Sequence, residues 1–363
     1  MIRRYTTPKM VALTDRDTLM FIYLQILAAV ARAQGHPEAA AAIATVHPDV
    51  ETWDEYETRH RHETAAFVFW LRDQIPAHRQ HVYVGMTSSD LQDTAEAALW
   101  NVIWTSTLRP QIVALSLRWE NTLGIGTRAG RTHGRDTELP VSIAAIYRRS
   151  ARNLSELVNV IDRTRLRANL SGPVGTYSTF LTFAQATDAA TELGLELDLH
   201  STQTADRHRM AALAMLLVQV IGAIEQVATY QRLSTISGVD QYVEQHVNLQ
   251  QVGSSSMPHK RNPISSERIC GLARVARSNL SALLETCYTQ WWERDLTNSS
   301  VERVAWRDLV ALADYLTSMA LQIDVGTDTW NSTNVNELES SYYRYNQALL
   351  DGDDPTSAYQ GLK

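Results

Sequence analysis

Apolar residues recur mostly at steps of three and four through Met210, Leu213, Leu217, Val220, Ile221, Ile224, Ala228 and Leu233. That spacing lays one apolar stripe along a helix of about thirty residues or more. A second stripe runs through Ile264, Leu272, Val275, Leu280 and Leu283, and a third through Val301, Val304, Leu309, Leu312 and Leu316. No proline lies between Pro173 and Pro258, so no breaker interrupts the first stripe. Almost nothing in the chain alternates apolar and polar residues as a half-buried strand would. The pattern predicts an all-α protein built around a central long-helix bundle. Helices of this length need a partner surface along them, so an oligomer is expected.

The same pattern divides the chain. Residues 1–90 read as shorter helices punctuated by Pro37, Pro48 and Pro76, an N-terminal helical domain. Residues 91–323 carry the long stripes and form the central bundle domain. From Asp324 the run Asp324-Val325-Gly326-Thr327-Asp328 turns polar, and 324–363 read as a short, weakly packed C-terminal segment. At 363 residues the chain can bury a sizeable core. Its net charge of −7 argues against a nucleic-acid binder, although Arg148, Arg149 and Arg152 could meet small anions. No apolar run looks long enough to span a bilayer and no signal peptide opens the chain. Two cysteines, Cys270 and Cys287, are too few for a disulfide framework or a cysteine zinc site. A cytoplasmic, reduced protein is the expectation.

Lys260 changes the picture from fold to chemistry. It is one of three lysines, against thirty arginines, and the other two, Lys9 and Lys363, lie near the ends. Lysine offers a compact charge that can sit against a developing anion, where arginine offers a planar fork. Around it runs Gly253-Ser254-Ser255-Ser256-Met257-Pro258-His259-Lys260-Arg261-Asn262-Pro263. Such a run is a loop, with Pro263 suited to a helix start, and it presents hydroxyls, an ammonium and an amide on a segment able to close. It resembles the Gly-Ser-Ser-x-Met-Pro-x-Lys-x-Asn-Pro signature of the fumarase/aspartase superfamily. The resemblance implies a three-domain helical lyase. Its catalytic base would be Ser254, and Lys260 and Asn262 would stabilise the carbanion formed beside a carboxylate.

Other segments extend the resemblance. Arg131-Thr132-His133-Gly134 is similar to the family's Arg-Thr-His-Gly motif, whose histidine protonates or positions the leaving group. Its glutamate partner, seven residues after the loop lysine, would be Glu267. Thr87-Ser88-Ser89-Asp90 leads into a helix, and Ser89 with Gln92 reads as a capping box. By resemblance Thr87 and Ser88 would meet a substrate carboxylate. A further family histidine maps to His62, five residues before Phe67, with His60 as a competing neighbour.

Within the superfamily the chain most resembles the adenylosuccinate lyases. Arg4-Tyr5 with Pro8 and Met10, and the run from Glu293 to Arg303, match two of their motifs. Arg4, Tyr5, Arg294, Ser299 and Arg303 would then hold a nucleotide phosphate. Thr202-Gln203 followed by Asp206-Arg207-His208 matches another segment, whose glutamine meets substrate, and Ser171 to Tyr177 fits as well. Together the matches cover roughly residues 3–323 and imply fumarate release from a succinylated purine nucleotide. No metal or organic cofactor is implied, and the site would form where three subunits of a homotetramer meet.

Three departures bear on substrate. Tyr83 stands where the family commonly has histidine, Arg135 follows the Thr-His-Gly motif, and the family's last domain usually runs further than this tail. They leave open an alternative lyase or cycloisomerase acting on a smaller succinyl amine, a nitrosuccinate or a carboxymuconate-like acid. A catalytically silent relative would be expected to lose the base, acid or ammonium, and all three residues are present.

Overall fold

The computed structural model describes residues 3–122, 124–245, 257, 260–326, 329–333 and 335–362. The N-terminal helices are α1 (Pro8–Leu13), α2 (Arg16–Ala33), α3 (Pro37–Ala44), α4 (Val50–His60) and α5 (Glu63–Gln74). Helix α6 (Ser88–Ile103) passes through one π-helical turn, Trp104–Leu108, into α7 (Arg109–Glu120). A hairpin of β1 (Thr127–Thr132) and β2 (Arg135–Ser142) precedes α8 (Ala144–Ile161) and α9 (Phe183–Glu192). The long helices are α10 (Arg207–Ser234), α11 (Ile264–Tyr288) and α12 (Thr297–Gln322). Short α13 (Ser341–Leu350) and α14 (Pro355–Gln360) follow.

The three apolar stripes fall on α10, α11 and α12, and the mostly α-helical fold stands as expected. On α10 and α12 most stripe residues are buried, with Leu213, Leu217, Val220, Ile221, Leu309 and Leu316 fully enclosed. On α11 only Leu283 of the predicted stripe is buried, and the buried face runs through Ile269, Cys270, Ala273 and Ala276. Leu233, Val275 and Val304 are exposed.

Contacts gather the chain into two compact units. One comprises Met1–Gln111, Leu157–Gln219 and Arg274–Tyr315, and the other Ile112–Glu156, Val220–Ala273 and Leu316–Lys363. The first unit has an aromatic core. Tyr23, Trp53 and Phe67 meet edge to face at 5.2–6.1 Å, and Trp100 stacks on Trp104 and packs on Trp306. The second unit closes around Trp330, which packs against Tyr242 at 4.7 Å and Tyr230 at 5.4 Å. That tryptophan gives the otherwise thinly packed C-terminal segment its anchor, since α13 buries no residue and α14 buries only Ala358.

Two expectations are corrected. The hairpin gives the chain an antiparallel strand pair that the apolar pattern concealed. Every residue of β2 is exposed or half-exposed, so neither face carries an apolar row to read. And one helix, Arg207–Ser234, is in fact long and apolar enough to cross a membrane by length and composition. In the protein 56% of its most apolar window is buried, so its apolarity serves packing.

Candidate active site

The first unit holds most of the predicted ligand contacts, beginning with the start of α6. The helix is capped by Thr87, not Ser89 as the Ser-x-x-Gln spacing suggested. The Asp90 carboxylate reaches back to accept the Thr87 N–H at 2.7 Å, which completes a capping box two residues earlier and buries Ser89 and Asp90. Asp90 also accepts the Gly172 N–H at 3.2 Å, so one carboxylate ties the Thr87-Ser88 turn to the Ser171–Tyr177 loop. Gly172 and Gly175 both adopt positive φ, and a Cβ on Gly175 would lie 2.4 Å from the Ser201 carbonyl. Only glycine fits there. Tyr83 is itself left-handed at φ 66°, and burial pushes its phenol up while the Ser88 side chain pulls it back.

Burial pushes the Asp90 carboxyl up to about 7, against the Thr87, Gly172 and Ser171 N–H groups that favour its ionised form. A carboxyl raised above its unfolded value of about 3.9 favours the folded state at low pH. That contribution is lost as pH rises through about 7. A carbon-13 carboxyl titration should therefore give Asp90 a midpoint near 7. A midpoint below about 4 would mean that the three N–H donors outweigh burial.

Gln203 lies beside this loop. Its side-chain amide donates to the Pro173 carbonyl at 2.8 Å, and its backbone N–H donates to the Glu293 carbonyl at 3.0 Å. The second bond brings the Glu293–Arg303 run alongside. Arg294, Ser299 and Arg303 then line a single cleft with Tyr23, Asp93 and Arg207 among others. Arg294 is half-buried, and its guanidinium donates to the Ser89 hydroxyl. Among the described residues no carboxylate pairs with it. Arg303 pairs with Glu63, and Arg307 with Glu96 at 2.6 Å.

At the base of the cleft sits a buried ion triad. Both terminal nitrogens of Arg207 donate to Asp93 at 2.9 and 3.0 Å, and its Nε lies 2.7 Å from a Glu302 oxygen. Burial pushes the Glu302 carboxyl up, with Arg207 pulling it back. Arg207 and Glu302 both sit inside segments that the motif matches covered, but their pairing joins positions far apart in sequence. Asp93, Glu96 and Arg307 carried no motif signal, and Glu63 entered only as the residue after His62.

The N-terminal pair is anchored nearby. The Thr7 hydroxyl and the Gln111 amide, the latter at 2.7 Å, both donate to Asp314, which is fully buried. Tyr5 meets Tyr315 edge to face at 5.8 Å, and Arg4 stays exposed. Of the two histidines in doubt, His62 caps α5, its Nδ1 accepting the Ala65 N–H at 3.3 Å. His60 packs edge-on against Phe69 at 4.8 Å. Both are exposed.

The second unit carries the acid–base candidates. His133 and Gly134 form the two-residue turn of the hairpin, with φ of 51° and 75°, as a type I′ turn demands. Thr132 and Arg135 face each other across it in register, and His133 is exposed at the tip. Glu267 lies in the first turn of α11, also exposed. Among the described residues no hydrogen bond or ion pair joins His133 to Glu267. Lys260 is exposed, its backbone N–H bonded to the Met257 carbonyl at 2.9 Å, and Asn262 is half-exposed just before the helix. Ser254 and the rest of the Gly253–Ser256 run lie outside the described residues.

Sequence reasoning missed what holds the start of α11. The buried Glu244 carboxylate accepts the Ser265 and Ser266 N–H groups, each at 2.9 Å, and the Ser266 hydroxyl at 2.8 Å. It thereby satisfies donors that a helix start leaves unpaired. The Ser266 hydroxyl also bonds Gln231, whose amide donates to the Tyr147 hydroxyl at 3.0 Å. Nothing in the sequence around Glu244 announces this role.

Comparison with known proteins gives this arrangement its class. The profile of a family described as Lyase matches residues 25–277. The fold matches that of a fumarate lyase from Mesorhizobium sp. BNC1 with a TM-score of 0.80 at 19% identity, covering 99% of this chain and 85% of that one. A 3-carboxy-cis,cis-muconate lactonizing enzyme from Pseudomonas putida matches with a TM-score of 0.79 at 19% identity, over 99% and 84%. The chain is thus a lyase of the fumarase/aspartase superfamily.

Curated relatives narrow the class. An adenylosuccinate lyase from Synechocystis sp. is 34% identical over 87% of this chain and 75% of its own length. One from Aquifex aeolicus is 35% identical over 76% and 63%. The chain belongs to the adenylosuccinate lyase family.

Proposed function

We propose that the protein eliminates fumarate from adenylosuccinate to give AMP, and from SAICAR to give AICAR, as a carbon–nitrogen lyase of purine nucleotide synthesis. The observation that carries this reading is the convergence of Arg294, Ser299 and Arg303 on one cleft, with Arg294 free of any carboxylate partner among the described residues. Two guanidinium groups and a hydroxyl suit a phosphate. Tyr5 and Arg4, tethered through Thr7 and Asp314, would close over it.

Ser254 takes the proton from the carbon next to the departing nitrogen's carbon. Lys260 and Asn262 stabilise the negative charge that develops on the adjoining carboxylate, and Thr87 and Ser88 hold the dicarboxylate end. His133, with Glu267 as its buffer, gives a proton to the leaving nitrogen. Thr132 and Gln203 complete the substrate contacts, and His62 joins the catalytic residues. Because His133 and Glu267 are both exposed and unjoined among the described residues, their partnership is assigned to neighbouring copies in a homotetramer. A cytoplasmic setting and the division into 1–90, 91–323 and 324–363 belong to the same reading.

The test compares adenylosuccinate with its counterpart lacking the 5′-phosphate. Losing charge-assisted bonds to two arginines should lower kcat/KM by about a hundredfold or more. Equal rates on both would sink the phosphate assignment. Turnover of a small succinyl amine with none of the purine would favour the alternative substrate class, for which Arg135 beside Thr132 supplies an added cation.

A further inference from the structure

We infer that Glu63 is a resident anion that occupies Arg303 until a phosphate displaces it. The inference rests on the phosphate reading of the Arg294 cleft and adds a partner exchange to it.

The cleft is lined by four arginines and four carboxylates, so its formal charge is balanced. A phosphate entering such a site gains little until one of the internal pairs opens. The pairs differ in how readily they can do so. In the Asp93–Arg207–Glu302 triad each side chain is at most 14% exposed, and opening it would strand buried charge. Arg307 and Glu96 are 21% and 16% exposed, and the second Glu96 oxygen is held at 2.6 Å by the Trp306 indole. Arg303, by contrast, is 57% exposed, although Glu63 is only 17% exposed, and among the described residues Glu63 is its only carboxylate. An arginine open to water can leave its partner at modest cost, because solvent offsets most of what the guanidinium loses. This is the pair that can open.

Glu63 is not left stranded when it lets go. It stands in the first turn of α5, where unpaired N–H groups favour a negative charge. Arg303 is then available, with Arg294 and Ser299, to the phosphate. The exchange occurs one residue from His62, whose ring caps the same helix, so phosphate occupancy is read at the turn bearing the candidate histidine.

The experiment measures binding of inorganic phosphate to the full-length chain by calorimetry, in wild type, Glu63→Gln and the double variant Glu63→Gln/Arg303→Gln. Glu63→Gln should bind phosphate about three- to fivefold more tightly, the gain expected from removing a carboxylate that competes for a half-exposed arginine. The double variant should lose that gain. Unchanged or weaker binding in Glu63→Gln, with wild type binding normally, would overturn this inference alone and make Glu63 a support for Arg303. Failure of both forms to bind phosphate would overturn the phosphate reading with it. Should Glu63→Gln fold poorly, Glu63→Asp shortens the reach to Arg303 and is expected to shift affinity in the same direction.

Discussion

Replacing Arg207 with methionine is expected to destabilise the fold by about 3–5 kcal/mol, the largest stability effect of any single side chain near the cleft. The reason lies in what would remain. Asp93 and Glu302 approach the same guanidinium from two sides, at 2.9 and 2.7 Å, and neither has much access to water. Methionine fills comparable volume but leaves two carboxylates facing one another in a poorly solvated site. Asn298, which donates to Glu302 at 3.2 Å, cannot replace a full positive charge.

The pH dependence of the variant follows from the same contacts. Burial already pushes the Glu302 carboxyl up, and Arg207 is the main force opposing that push. Without the arginine, the carboxyl rises further. A group whose pKa is raised on folding favours the folded state at low pH and loses that contribution as pH rises. The deficit of Arg207→Met should therefore be smaller at pH ~5 than at pH ~8. Urea denaturation at the two pH values reads it directly. A loss under about 1 kcal/mol at both would place this triad with ordinary surface ion pairs.

The second large effect is catalytic. Lys260→Met should lower kcat for fumarate release by about 10²–10³-fold, the range seen when one charge-stabilising group is removed from an active site. Among the described residues no carboxylate pairs with Lys260, so its ammonium is not committed to holding the fold. Thermal stability should accordingly stay close to wild type. Lys260→Arg should recover little, because a planar fork cannot replace a compact ammonium against one developing oxyanion. Full activity in Lys260→Arg would show that only the positive charge matters, not its geometry.

What was legible in the sequence was whatever repeats locally. The long helices α10, α11 and α12 follow from steps of three and four, whereas most of the loop expected around Lys260 lies outside the described residues. The hairpin was not legible, because neither strand has a buried row. Its turn nonetheless sets His133 at an exposed tip, which explains why a short motif there holds its shape without a surrounding core.

The cap of α6 was misread by two residues for a related reason. Ser89-x-x-Gln92 and Thr87-x-x-Asp90 both satisfy the same spacing. Only the buried contact from Asp90 to Gly172, across 82 positions, decides between them. Glu244 and the Asp93–Arg207–Glu302 triad are illegible for the strongest version of this reason. Each charge is ordinary in its own segment and acquires meaning only from partners brought in by other helices.

The most direct measurement is the product balance of the purified chain on adenylosuccinate. Wild type is expected to release AMP and fumarate in equal amounts at matching rates, and Ser254→Ala, with its fold intact, to release neither above background. Release of fumarate by Ser254→Ala at the wild-type rate, or no turnover of adenylosuccinate by wild type, would contradict the proposed elimination.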